Sequence, residues 1–143
     1  MPFKLVIGHK GKAWKLDVES EVLVGKSVGD KINGKDIKPE LEGYEIEITG
    51  GSDISGFPLS KDAVGIGLKR VLLKRGWGMK DNREGIRLRK TVRGKTISEA
   101  VVQINMKVIK EGSKKMEEIF ADQNKAKEVK EEKAEVKAEA QAA

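Results

Sequence analysis

Glycine interrupts this chain every several residues, sixteen times in 143, and the pieces between are short β-branched or aliphatic runs. Residues 3–7 form one such run, ended by Gly8; residues 13–16 and 22–24 are similar fragments, the second closed by Gly25. Residues 43–49 alternate, with Tyr44, Ile46 and Ile48 on one face and Glu45, Glu47 and Thr49 on the other, the pattern of a half-buried strand. Gly29-Asp30 and Asn33-Gly34 are turn dipeptides, and the second suits a type I′ hairpin because both residues tolerate positive φ. Residues 100–109 supply a further β-branched run, ended by Gly112. Glycine at this spacing favours tight turns between short strands over helices. The expected fold is mainly β, a small barrel-like or sandwich domain.

Charge is distributed unevenly over that scaffold. From Lys69 to Lys95 there are eleven basic residues against two acids, Asp81 and Glu84, a local charge of +9 in a chain whose net charge is +6. The remainder therefore nets −3, so the positive charge is concentrated in one segment. Dense Arg-rich charge with glycines and a lone tryptophan among it is what contact with a phosphate backbone requires. Within the segment, residues 71–73 are a short apolar run with Lys-Arg on either side, which predicts a strand crossing the core with both ends emerging into basic surface. Residues 85–90 alternate again, placing Arg87 and Arg89 on one face and Ile86 and Leu88 on the other. The link between, residues 74–84, is longer than most hairpin connections and is either functional or loose.

Ser113 is a candidate cap for a helix beginning at Lys114, and Met116, Ile119 and Phe120 can lay one apolar patch on the core. Beyond Asp122 only Val129 and Val136 are sizeable apolar residues. The composition there favours helix, but Glu128 and Glu132, Glu131 and Glu135, Glu135 and Glu139, and Lys133 and Lys137 are like-charged pairs four apart. The expected organisation is a β-rich nucleic-acid-binding domain over residues 1–112 with a basic insertion at 69–95. Residues 113–143 follow as an Ala/Glu/Lys-rich helical or disordered tail.

Composition excludes several functions. The chain has no cysteine, which removes disulfide frameworks, thiolate zinc sites and cysteine nucleophiles. Charged residues make up 36% and aromatics 4%, leaving little apolar surface for a deep pocket, so no small-molecule substrate is expected. No apolar stretch approaches membrane-spanning length and the N-terminus lacks a signal-peptide run, so a cytosolic protein without membrane contact is expected. His9, the only histidine, reads as a surface residue, and Asp53 and Asp62 have no evident carboxylate partner. With no nucleophile, base and orienting group in view, neither an enzyme nor a cofactor or metal is expected.

Several motifs occur in a fixed order: Phe3-Lys4-Leu5-Val6-Ile7; Val28-Gly29-Asp30 with Gly34; Gly43-Tyr44-Glu45-Ile46; Ile48-Thr49-Gly50-Gly51-Ser52-Asp53 followed by Gly56-Phe57-Pro58; and Arg89-Lys90-Thr91-Val92-Arg93-Gly94 followed by Val102-Gln103-Ile104-Asn105. Together these resemble the archaeal and eukaryotic small-subunit ribosomal protein "S-six-e" family over roughly residues 3–112. The resemblance implies a β-rich domain seated on small-subunit ribosomal RNA beside neighbouring ribosomal proteins, a cytoplasmic structural constituent of the ribosome. A free-standing RNA-binding barrel, acting as RNA chaperone or translation regulator, is the alternative. Eukaryotic members carry a longer C-terminal extension ending in phosphorylated serines. Here no Ser or Thr follows Ser113, so that regulation is not carried over and an archaeal-type member is implied. Leu59 stands where methionine is expected after Gly-Phe-Pro, a volume-conserving change.

The candidate rRNA-binding residues are Lys69, Arg70, Lys74, Arg75, Trp77, Lys80, Arg83, Arg87, Arg89, Lys90, Arg93 and Lys95. Arg87, Arg89 and Arg93 lead this set, since Arg forks match phosphate bidentately. Trp77, between two glycines, either stacks on a base or folds down to cap the small core; Trp14 is core. Residues 48–53 read as a tight structural turn, with approach to an RNA backbone as the other reading. Gly56-Phe57-Pro58 reads as a structural corner.

Overall fold

The computed structural model describes residues 2–19, 21–121 and 123. Strand β1 (Phe3–His9) turns through Lys10 and Gly11, both at positive φ, into β2 (Lys12–Val18). Positive φ at both central residues is the type I′ arrangement, whose twist matches the strands it joins. A short β3 (Lys31–Asn33) leads through α1 (Gly34–Ile37) to β4 (Glu45–Asp53). Two strands, β5 (Leu68–Lys74) and β6 (Arg87–Arg93), precede β7 (Val101–Lys110) and α2 (Met116–Ile119). The expected mainly β class is what the chain adopts.

Five strands form one sheet in the order β2-β1-β7-β4-β3, with β1 parallel to β7 and the other pairs antiparallel. Period-two alternation sends Phe3, Leu5 and Ile7 of β1, Ile46 and Ile48 of β4, and Ile104, Met106 and Val108 of β7 to the buried face. Trp14 joins them, as expected. Leu23, Ile37, Leu41, Leu59 and Ile97 from the connections complete the core, together with Met116 and Phe120. The packed body thus continues past residue 112. The tail expectations for residues 124–143 lie outside the described residues. Gln123 lies along the edge strand β2: Lys15 N–H donates to its Oε1 at 2.7 Å, and its Nε2 donates to the Lys15 carbonyl at 2.6 Å. One side-chain amide thereby satisfies a backbone position that an edge strand leaves open.

Four local expectations are corrected. Residues 22–24 are not a strand; a 3-10 turn over Glu21–Leu23 buries only Leu23 and leaves Val22 and Val24 exposed. Asn33-Gly34 is not a hairpin turn, since Asn33 ends β3 at φ −75° and Gly34 opens α1. Glycine is needed there for space: a Cβ on Gly34 would lie 2.2 Å from the Leu41 carbonyl oxygen. Residues 48–53 are not a tight turn but the second half of β4, which bulges between Ile48 and Gly50. A Cβ on Gly51 would meet the Gln103 carbonyl oxygen of β7 at 2.3 Å, so this glycine serves close strand approach. Ser113 does not cap α2, whose N-terminal flanking residue is Lys115.

Candidate nucleic-acid interface

The strand expected to cross the core, residues 71–73, leaves the sheet altogether. Here β5 and β6 pair with each other as a separate two-stranded arm, and Arg93 of β6 also makes an isolated parallel bridge to Leu59. Leu72, expected inside, is 57% exposed. The reason is length and composition: the run is three residues long and both flanks are cationic, so little is gained by burying it and four charges would have to be accommodated.

Register decides what the arm presents. Leu68 faces Arg93, Arg70 faces Thr91, Leu72 faces Arg89 and Lys74 faces Arg87. Directly opposed residues share a face, so Arg70, Lys74, Arg87 and Arg89 stand on one side with Leu68 and Leu72, all exposed. Lys69 and Lys90 lie on the other side with Val71, Leu73, Leu88 and the buried Val92. Lys74 opposite Arg87 is a like-charged pair, destabilising in the free protein and relieved by an anion. Arg75, Lys80, Trp77 and Arg83 belong to the connection between the strands. Among the described residues no acid forms an ion pair with Lys69, Arg70, Lys74, Arg75, Lys80, Arg87, Arg89, Lys90 or Lys95.

Two of the candidate arginines are paired with acids of the chain itself. Arg83 grips Asp81, with Nη2 at 2.6 Å and Nε at 2.9 Å from Oδ2. The side-chain hydrogen bond from Arg83, reinforced by its backbone N–H, holds the Asp81 carboxyl below its ordinary range. Arg93 is only 13% exposed in its side chain and donates from Nε to Oδ2 of the fully buried Asp53 at 2.8 Å, and from Nη1 to the Ile66 carbonyl at 3.1 Å. Burial pushes the Asp53 carboxyl upward, but the Arg93 guanidinium and the backbone N–H groups of Phe57 and Ser55 together hold it below its ordinary range. Arg93 therefore anchors the root of the arm, while Arg87 and Arg89 stand clear of it.

Three of the sequence motifs converge at that root. Asp53 accepts from Phe57 N–H at 2.9 Å, Leu59 N–H donates to the Gly51 carbonyl at 3.0 Å, and Arg93 N–H donates to the Pro58 carbonyl at 2.9 Å. Gly56-Phe57-Pro58 is thus the corner that was expected, with Leu59 buried beneath it. Gly94 lies so close to the preceding loop that a Cβ would sit 1.9 Å from the Gly65 carbonyl oxygen, and Lys95 N–H donates to the Ala63 carbonyl at 2.8 Å. Sequence reasoning missed this junction because Asp53 and Arg93 are forty residues apart and neither position signals a partner. Trp77 does not cap the core: it is 55% exposed, against 2% for Trp14. His9, expected at the surface, is partly shielded and pairs through Nε2 with Glu111 at 3.0 Å.

Fold and arm together define a class: a small, mainly β protein that holds an exposed cationic ribbon on a root fixed by a buried ion pair. Residues 3–121 match the family model described as ribosomal protein S6e, and the chain belongs to that family. It is 46% identical over 123 residues to a protein of Methanothermobacter thermautotrophicus, an alignment covering 84% of this chain and 96% of the relative. A Methanococcus maripaludis protein is 45% identical over 115 residues, 79% and 91% of the two chains. One from Archaeoglobus fulgidus is 42% identical over 127 residues, 84% and 96%. All three bear the description small ribosomal subunit protein eS6.

Proposed function

We propose that this protein is a structural constituent of the small ribosomal subunit, in the cytoplasm, and that its β5–β6 arm binds small-subunit ribosomal RNA. The observation that carries the reading is the arm's register, which gathers Arg70, Lys74, Arg87 and Arg89 on one exposed face, with no counter-ion for them among the described residues. An assembling RNA brings phosphates together that repel one another; cations held at fixed spacing on a rigid root neutralise them and fix the register of the contact. Lys69, Arg75, Lys80, Lys90 and Lys95 extend the same field, while Arg93 braces its root and Arg83 is paired with Asp81. Family membership supports the ribosomal setting and neighbouring ribosomal proteins as partners, and a binding role rather than catalysis.

The test is RNA binding as a function of salt. Changing Arg87→Ala together with Arg89→Ala should weaken binding to small-subunit rRNA and flatten the log–log salt slope by about 0.7–0.9 per lost phosphate contact. An unchanged slope would remove these two arginines from the interface. Sedimentation of the endogenous protein tests the setting: stoichiometric retention on salt-washed small subunits supports residence, and release into the soluble fraction supports a free-standing RNA-binding protein.

A further inference from the structure

Trp77 sits at the end of the arm in a position that its neighbours hold open. Met79 N–H donates to the Gly76 carbonyl at 3.1 Å, closing a four-residue turn with Trp77 second and Gly78 third. Gly78 has φ +75°, the value that the third residue of a type II turn requires. Gly76, at φ +128°, has no atom within 4 Å of a Cβ built on it. The turn is pinned at one end only: Met79 is buried, and the Cβ position of Gly78 is 3.1 Å from Leu73 Cδ1 of β5. The backbone on the far side of Trp77 is thus packed on the arm, while the indole at the second position remains 55% exposed. In a chain with two tryptophans and 4% aromatics, this leaves one of the largest apolar groups outside the core. Lys74, Arg75 and Lys80 flank it in sequence, and all are exposed.

An exposed indole with exposed cations on either side of it in sequence fits a nucleobase held between phosphates. The faces of bases inside an A-form helix are already covered by their neighbours, so along the body of a stem an indole reaches one only where a nucleotide is unpaired. We propose that Trp77 is a base-stacking platform, and that the arm consequently takes RNA in which an unpaired nucleotide adjoins a helix, rather than an uninterrupted duplex. This deepens the RNA-binding reading of the arm and rests on it. The cationic strand face holds the helical backbone, and the turn supplies the recognition of the extruded base. Because every base offers a π face, the preference is for the bulge and not for its sequence.

The experiment compares two synthetic RNA stems, one fully paired and one identical except for a single bulged nucleotide, binding to the full-length chain at one fixed salt concentration. The bulged nucleotide is a fluorescent adenine analogue whose emission falls on stacking. The expected result is tighter binding of the bulged stem by about 5- to 150-fold, the range of one base–aromatic stack, with quenching of the analogue. Trp77→Ala should abolish the preference and the quenching, Trp77→Phe should retain part of both, and Arg87→Ala with Arg89→Ala should weaken both stems alike. Equal affinity of the unaltered protein for the two stems, or a Trp77→Ala variant that keeps the bulge preference, overturns stacking and leaves RNA binding by the arm standing. Failure of the unaltered protein to bind either stem overturns the RNA-binding reading and the platform with it.

Discussion

Replacing Arg93 by methionine keeps the bulk of an aliphatic stem and removes the guanidinium that faces Asp53. The carboxylate left behind is fully shielded from solvent and retains the Phe57 N–H at 2.9 Å, but loses the charged donor at 2.8 Å. Removing one partner of a buried ion pair costs about 3–5 kcal/mol, because the survivor stays desolvated without its counter-charge. Arg93 is itself 13% exposed, so some water can reach the vacated site and the lower end, about 3 kcal/mol, applies. For a packed body of this size that corresponds to a fall of about 10–15 °C in Tm. Urea unfolding followed by the fluorescence of buried Trp14, in a Trp77→Phe background to remove the exposed indole, measures it directly.

The dependence on pH separates charge from packing. In the native protein the Asp53 carboxyl is held below its ordinary range. Its contribution is therefore complete above the unfolded value, about 3.9, and is lost as pH falls through the lower folded value. In Arg93→Met, burial is no longer outweighed and the carboxyl rises above its ordinary range. Protonation then removes the unpaired charge, so the variant's deficit should be largest near neutrality and shrink as the solution is acidified toward about pH 4.5, where Asp53 of the parent is still ionised. Adding Asp53→Asn should recover part of the loss at neutral pH. A deficit under about 1 kcal/mol, or one equal at both pH values, would refute the argument that an orphaned buried charge dominates.

The arm's root and the sheet's edge give further expectations. Gly94→Ala should be far more damaging than Gly85→Ala: the first Cβ meets the Gly65 carbonyl oxygen at 1.9 Å, while the second, at φ +74°, meets no atom within 4 Å and carries only backbone strain of about 1–2 kcal/mol. Equal melting temperatures for the two variants would show that the loop gives way freely. Gln123→Ala should cost about 1 kcal/mol and speed amide exchange at Lys15, whose N–H donates to the Gln123 side chain; unchanged exchange would mean that the edge is protected some other way. Gly51→Ala, with its Cβ 2.3 Å from the Gln103 carbonyl oxygen, should destabilise the β4–β7 pairing by about 1–3 kcal/mol, seen as lower Tm with the arm's RNA affinity per folded molecule retained.

Alternation and charge were legible without coordinates because each is a property of neighbours along the chain. The period-two pattern of Tyr44, Ile46 and Ile48 put the right residues of β4 in the core, and the β-branched run ending before Gly112 became β7 almost residue for residue. The positive segment from Lys69 to Lys95 was evident from counting alone. Glycine was harder to read: Gly34 and Gly51 resemble turn residues, yet both are glycine because another strand or turn passes too close for a Cβ. A three-residue apolar run such as 22–24 or 71–73 has too little periodicity to say where it packs, and neither went where its composition suggested.

Strand alternation and net charge need no tertiary partner, so a mainly β chain with a concentrated cationic segment can be read from the order of residues alone. Which arginines in that segment face solvent is settled by folding. Arg87 and Arg93 share a strand and a side-chain type, but β6 runs from the free end of the arm to its root, where Asp53 lies buried. A charge becomes structural when folding brings a desolvated opposite charge to it, and that meeting, across forty residues, is set by topology rather than by spacing.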